Sequence, residues 1–387
     1  MTAVHHRPTF AEVDAGAIAR NTERLRAAAG PGAELCAVVK ADGYGHGSVA
    51  AARAALAGGA SWLAVALVEE GVVLREAGVD APVLLLSEPP PAAVPALVAH
   101  GLTPTVYRPA FLDALEAAAE DGPVRVHLKL DTGMTRVGVA PSDRDALLAR
   151  LAASDRLDVE GVQTHLARAD EPAVETTAEQ LTRFADGLAA VSAAGLAPRL
   201  VHVANTAATL LHGDTWRTVL GAGAPAAVPL VRAGIGLYGL DAGPQVVAVA
   251  HGLEPALRLV SAVSHVRHVE RGTSVSYGHR WAAPADGWLA TVPIGYADGV
   301  PRALTGRLDV LQDGRRRPVV GTITMDQLLV WCGDDEPTWG DEVVLIGSQG
   351  RTGSRIGMEE WAERLDTITY EIATGVTARV PRVVVGD

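Results

Sequence analysis

Lysine is nearly absent from this chain. Of its 33 basic residues only Lys40 and Lys129 are lysines, the rest being arginine. Arginine can take over from lysine in solvation or a surface ion pair, but it keeps its proton, so a lysine retained against that background is a candidate for amine chemistry, a Schiff base or a carbamate. Cysteine is equally scarce: Cys36 and Cys332 lie in separate apolar stretches without metal-ligand spacing, which excludes a disulfide framework and makes redox chemistry or a metal site an unsupported expectation. No basic run is longer than Arg315, Arg316, Arg317, expected to be a solvated turn, and the formal charge is −12, so neither nucleic acid nor an anionic membrane is an expected partner. Long apolar runs are missing too, and Met1–Phe10 has no leader-like core, which leads us to expect a cytoplasmic protein.

What is present is a chain of 387 residues, 48% hydrophobic, long enough for two domains or a barrel with an added module. Short apolar runs bounded by turn residues read as eight strands: Glu34–Val39, Trp62–Ala66, Val83–Leu86, Thr103–Val106, Val124–Leu130, Leu157–Thr164, Leu200–Ala204 and Val228–Val231. Amphipathic segments lie between them, such as Glu69–Ala77, Pro109–Ala119, Asp143–Ala153 and Ala178–Ala194. An earlier helix, Ala15–Ala29, is expected to open on Asp14 as N-cap and to stop at Gly30. Eight strand–helix units close most economically into an α/β (β/α)8 barrel of the TIM type, with an open doubly wound sheet as the alternative. Past about Leu253 the texture turns to short alternating runs, Leu257–Val269, Gly287–Pro293, Val343–Ile346 and Ala378–Val385, with turns at Asp313-Gly314, Gly333-Asp334 and Gly340-Asp341 and one late helix, Met358–Leu365. We therefore expect a barrel over 1–252, whose first residues may join the second domain, and a C-terminal, mostly β-strand domain over 253–387.

Barrel chemistry sits at the C-terminal strand ends, and the residues there are polar where packing would favour apolar ones. Lys40 ends the first run, Lys129 lies near the end of the fifth, with Arg136 in the loop beyond; His165 follows the sixth, Asn205 and Thr206 the seventh, Arg232 ends the eighth, and Gly234-Ile235-Gly236 follow it. Lys40 comes directly after Cys36-Ala37-Val38-Val39, at the edge of a dry interior that favours a neutral amine. The loops after strands seven and eight are the usual phosphate site of such barrels. A lysine for an aldehyde beside a phosphate cradle points to pyridoxal 5'-phosphate. Blander readings stand beside these: an ion pair of Lys40 with Asp42, of Lys129 or Arg136 with Asp131, and a satisfied core histidine at His165.

The stretches VVKADGYGHG, KLDTGMTRVG, VRAGIGLYGL, VSYGH, IGYADG, TMDQ and TITYE, in that order along essentially the whole chain, resemble the alanine racemases of the barrel class. The resemblance implies an isomerase using pyridoxal 5'-phosphate, with Lys40 as its Schiff-base lysine and Tyr44, Asn205, Thr206, Gly234, Ile235 and Tyr370 around the cofactor and its phosphate. It implies Arg232 facing the pyridine nitrogen, with His165 linking it to the second base, Tyr277, which comes from the partner of a homodimer with composite active sites. Arg136 and the partner's Met325 would meet the carboxylate of a small amino acid, and Lys129 matches a position that some relatives carbamylate. Supply of D-alanine for peptidoglycan is the family's role. Two positions depart from the common pattern: Thr324 replaces a cysteine, and Thr322 an arginine, which would remove charge from the access corridor and leave Arg302 to supply it. Alternatives are a racemase of another small amino acid such as serine, a barrel-class decarboxylase, disfavoured by Arg232 and Tyr277, and a single-domain cofactor-binding protein, disfavoured by the second domain.

Overall fold

The computed structural model describes residues 6–120, 122–350 and 353–386. It divides into two compact units, one of Ile18–Gly43 and Ser48–Glu254, the other of the residues up to Ala17 with Tyr44–Gly47 and Pro255 onward. The first strand, β1 (Phe10–Asp14), belongs to the second unit, and Asp14 caps the helix Ala15–Ala29 as expected, its carboxylate accepting from Ala17 N at 2.8 Å. Gly30 ends that helix at φ 88°, a conformation that suits glycine alone.

The eight expected strands are all there: β2 (Glu34–Val38), β3 (Trp62–Val65), β4 (Val83–Leu85), β5 (Thr103–Val106), β6 (Val124–Lys129), β7 (Leu157–Gln163), β8 (Leu200–His202) and β9 (Val228–Ala233). They pair in parallel, in chain order, and the barrel closes through Glu34 of β2 opposite Leu230 of β9. Such strands are covered on both faces, which is why they are apolar runs and not alternating ones; every residue of β3, β4 and β5 is buried. The barrel prediction thus holds, and the open sheet is excluded. Helices Val68–Glu76, Pro109–Ala118, Arg144–Ala152 and Thr176–Ala193 match the expected segments within a residue or two. The helix Ser48–Ala57 was not anticipated, because its Ala-rich sequence has little contrast between faces.

The second unit is built on strands β10 (Leu257–Ala262), β11 (His265–Val269), β12 (Ser274–Val275), β13 (Trp281–Ala282), β14 (Gly287–Val292), β15 (Asp309–Gln312), β16 (Arg315–Val320), β17 (Leu328–Gly333), β18 (Glu342–Gln349), β19 (Ser354–Ile356) and β20 (Arg382–Val385). Among the described residues they form one sheet in the order β11-β14-β17-β16-β15-β18-β10-β1-β20, with β19 on β18 and a separate β12-β13 hairpin. Leu257–Val269 is therefore two strands, not one. The turn at Asp313-Gly314 joins β15 to β16 with both residues at positive φ, 52° and 69°. The arginine triplet does not form a solvated turn. It opens β16, where Asp335 pairs with both Arg315 and Arg317 while Glu360 pairs with Arg316 at 2.7 Å. The late helix Met358–Leu365 is followed by a second, Thr369–Gly375. Among the described residues no helix is long and apolar enough to cross a membrane, and no group of His, Cys, Asp and Glu could hold a metal ion.

Candidate active site

Beyond β2 the chain makes a left-handed turn: Ala41 and Asp42 at φ 52°, Gly43 at 62° and Tyr44 at 52°. Each non-glycine residue there costs roughly 1–2 kcal/mol, so the turn must be braced from outside. Glu70 does this, accepting from Ala41 N at 2.6 Å as well as from Ala66 N and Leu67 N, and Asp42 accepts from Ser48 N at 2.8 Å. Asp42 is thus spent on the turn, and among the described residues Lys40 makes no ion pair. Burial lowers the Lys40 pKa first, and the Arg136 guanidinium lowers it further. Both effects favour a neutral amine at a strand end.

Lys129 is more buried still, 6% exposed, and reaches Leu86 O at 3.4 Å. Burial, then Arg232, Arg136 and Lys40 push it down to about 7, against a weaker pull from Asp131. The bland pairings with Asp131 are not formed: that carboxylate accepts from Gly133 N and Thr135 N, both at 3.0 Å, and so shapes its own loop. Lys129, Asp131, Met134, Arg136, Thr164 and His165 line a small cleft.

Arg232 is 4% exposed and, among the described residues, pairs with no carboxylate. Its Nη1 donates to His202 Nδ1 at 3.0 Å, and its Nη2 lies 2.7 Å from Thr164 O and 3.1 Å from His165 Nδ1. Burial lowers its pKa to about 10, which leaves it charged near neutrality. Because a guanidinium can only donate, both facing imidazole nitrogens must accept, so His165 and His202 are neutral with the proton on Nε2. Burial, reinforced by Arg232, holds both well below the ordinary histidine range. His165 therefore presents an N–H donor backed by a fixed cation, and is more than a core histidine. Lys40, Lys129, Arg136 and Arg232 together make a site suited to anionic ligand groups.

At the ends of β8 and β9, Asn205 caps the helix Thr206–Leu211, its side chain accepting from Ala208 N at 2.9 Å. Thr206 Oγ1 accepts from Gly234 N at 3.1 Å and Gly236 N at 3.3 Å, which leaves its own proton to donate outward. The close approach requires glycine, since a Cβ on Gly236 would lie 2.6 Å from Thr206 Cγ2. Ile235 is buried between the two glycines. The structure thus brings Lys40, Lys129, Arg136, His165, Asn205, Thr206, Arg232, Gly234 and Ile235 to the C-terminal strand ends of one unit.

The remaining candidates belong to the other unit. Tyr44 and Tyr370 face each other with ring centroids 6.0 Å apart, and burial pushes the Tyr44 hydroxyl up to about 12, which keeps it a neutral donor. Tyr277 is 74% exposed and Met325 51%. The Tyr277 loop is strained at Ser276 (φ 60°) and His279 (φ 44°) and held by a reciprocal clasp: Ser276 Oγ donates to Thr322 O, and Thr322 Oγ1 to Tyr277 O, both at 2.7 Å. The expectation for Thr322 concerned only the charge it lacks; its side chain is also buried, and its hydroxyl holds the tyrosine loop. The Thr324–Met325 loop is tied to its neighbour by Tyr296 N to Thr324 O at 3.0 Å and Ala297 N to Met325 O at 3.1 Å. Sequence reasoning missed Glu70 and His202; the available signal was a polar residue inside an apolar strand and a glutamate three residues into a helix start.

Comparison with known proteins agrees with this layout. The family described as alanine racemase, N-terminal domain, matches residues 13–242, and the alanine racemase C-terminal domain family matches residues 256–384. The chain is 45% identical over 385 residues to the alanine racemase of Symbiobacterium thermophilum, covering 98% of each chain. It is 44% identical to that of Thermobifida fusca, over 98% of this chain and 99% of the other. Among solved structures, alanine racemase from the D-cycloserine producer Streptomyces lavendulae superposes with a TM-score of 0.91 at 37% identity, over 99% of this chain and 98% of the other. With both domains matched and full-length relatives far above the level of chance, the chain belongs to the alanine racemase family of enzymes.

Proposed function

We propose that the chain interconverts L- and D-alanine with pyridoxal 5'-phosphate, using two bases on opposite faces of the α-carbon. The residues fit that cofactor: an amine of lowered pKa for its aldehyde, the outward hydroxyl of Thr206 with Asn205, Gly234 and Ile235 for its phosphate, and Arg232 for its ring nitrogen. Tyr44 and Tyr370 would add phenol donors to the phosphate. When bound, the cofactor supplies the electron-withdrawing ring that acidifies the α-carbon.

Lys40 would hold the cofactor, and its Nζ would take or return the α-proton on one face. Tyr277 of the partner subunit serves the other face. A phenol ordinarily ionises only near pH 10, so a neighbouring donor must favour its anion. The Nε2–H of His165, whose Nδ1 is fixed by Arg232, is such a donor. Arg136 orients the substrate carboxylate as a planar fork, together with the backbone at Met325 of the partner subunit. The observation that carries the reading is Arg232 itself: a buried permanent cation, where enzymes needing a strong electron sink place a carboxylate. A cation held beside the ring nitrogen would limit charge withdrawal into the ring, which would favour return of the proton to the α-carbon over side reactions. The exposure of Tyr277 and Met325 supports a homodimer with composite sites.

Lys129 fits a carbamate, an anion that would sit among Arg136, Arg232 and Lys40 and hold Arg136 in place. The product would serve peptidoglycan, as in the family at large. The test is direct. Purified chain with pyridoxal 5'-phosphate and L-alanine is expected to yield D-alanine by chiral chromatography, and L-serine to react more slowly; carbon dioxide release or no D-alanine would overturn the reading.

A further inference from the structure

Arg232 is a buried cation without an acid in contact among the described residues, yet a path of side chains leads from it to one. His202 Nδ1 receives Arg232 Nη1 at 3.0 Å, and His202 Nε2 lies 2.9 Å from His127 Nδ1, the two rings meeting edge to face. On the far side, His127 Nε2 and Glu160 Oε2 face each other at 3.9 Å, and both are buried atoms with no hydrogen-bond partner. That separation is too long for a hydrogen bond and too short for an intervening water, so a small shift of either group would join them. The other oxygen of Glu160 receives Arg199 Nη2 at 3.2 Å, and the Arg199 side chain is 49% exposed. The path thus runs from Arg232 to solvent across β9, β8, β6 and β7.

Two local devices build it. The pairing of β6 with β7 steps from Val126↔Val159 to His127↔Gly161, so Glu160 is the extra residue of a β-bulge, the feature that re-aims a side chain in a strand. Residue 161 must then be glycine, because a Cβ there would lie 2.6 Å from His127 Nδ1. Direction follows from donor chemistry. Arg232 only donates, so His202 carries its proton on Nε2 and gives it to His127 Nδ1, and His127 must carry its proton on Nε2, aimed at the Glu160 carboxylate.

We propose that Glu160 is the remote counter-charge of Arg232, linked to it through a one-way pair of neutral imidazoles, and that Glu160 and His127 are positioning residues for that arginine. The imidazoles convey polarisation and orientation, and no net proton moves along them. The catalytic consequence rests on the racemase reading; the tautomers do not.

The test uses the full-length protein labelled with 15N at histidine. His127 and His202 are expected to show neutral rings protonated at Nε2 from about pH 6 to 9. Glu160→Ala should shift the Nε2 resonance of His127 and also that of His202, whereas Arg199→Gln, which leaves the Glu160 charge in place, should leave both tautomers as they are. Racemase kcat in Glu160→Ala should fall about threefold to tenfold, with KM for alanine changed by less than about twofold. If Glu160→Ala does not fold, Glu160→Gln removes the charge alone and should give the same shifts at smaller amplitude. A proton on Nδ1 or a charged ring in either histidine of the unaltered protein overturns the proposal. So does an unmoved His202 with equal loss of Tm in Glu160→Ala and Arg199→Gln, which would make Glu160 a partner of Arg199 only. Shifted resonances with unchanged kcat overturn the positioning role. Absence of D-alanine from the unaltered protein would instead overturn the racemase reading and leave the imidazole result standing.

Discussion

The two units keep their chemistry in opposite ways. The barrel buries it: Arg232 is 4% exposed and Lys129 6%, each solvated by the chain's own carbonyls and imidazoles. The β unit leaves it in the open, with Tyr277 at 74% and Met325 at 51%, although the loops carrying them are pinned by clasped hydroxyls and backbone bonds. Burying a cation is expensive unless its donors are used, so the barrel groups are tuned by desolvation. A rigidly held aromatic exposed to water gains nothing where it stands. On the proposed reading it is half of a site whose other half is a second copy of the chain.

The sharpest way to break that contrast is to remove one group from each side. Lys40→Ala should abolish cofactor attachment and lower racemisation by more than about 10⁴-fold, while borohydride reduction of the unaltered enzyme should leave a pyridoxyl adduct on Lys40 alone. Tyr277→Phe should cost about 10²–10⁴-fold in kcat with cofactor binding intact. Mixed, the two inactive chains should regain partial activity in heterodimers. Failure to complement, with heterodimers shown to form, would place both bases in one chain and undo the comparison.

A smaller effect is expected at Lys129, where the barrel's dryness sets a pH dependence. Its amine is pushed down to about 7, so above that pH it is largely neutral and able to react with carbon dioxide, and below it the ammonium cannot. Enzyme held in carbon-dioxide-free buffer at about pH 6 should therefore lose activity by about tenfold, and bicarbonate at about pH 8 should restore it. Activity indifferent to bicarbonate would make Lys129 a plain neutral amine.

The barrel was legible in the sequence because most of its strands are buried on both faces and appear as short apolar runs, after which Lys40, His165 and Arg232 stand out as misplaced polar groups. The turn following Lys40 was not legible, since nothing in Ala41 or Asp42 announces a left-handed conformation; it is imposed by Glu70, 29 residues further on. His127 and His202 escaped notice because alternation along a strand cannot tell a polar residue that is paired across the barrel from one that faces solvent. In the β unit the motif residues were identifiable only by resemblance, because an exposed tyrosine in a loop has no physical signature of its own until a partner covers it.

Thr322 offers the finest cut, because it decides whether the clasp under Tyr277 serves the reaction or only the loop. Its hydroxyl gives one neutral hydrogen bond, to the Tyr277 carbonyl, worth about 0.5–1.5 kcal/mol. Thr322→Val keeps the shape and deletes that bond. If the strain at Ser276 and His279 is what aims the phenol, releasing the carbonyl should lower kcat about twofold to tenfold with KM for alanine unchanged, and Thr322→Ser should recover most of it. A loss of Tm with kcat untouched would instead mean that the exposed side of the comparison is positioned by the partner subunit and not by its own loop.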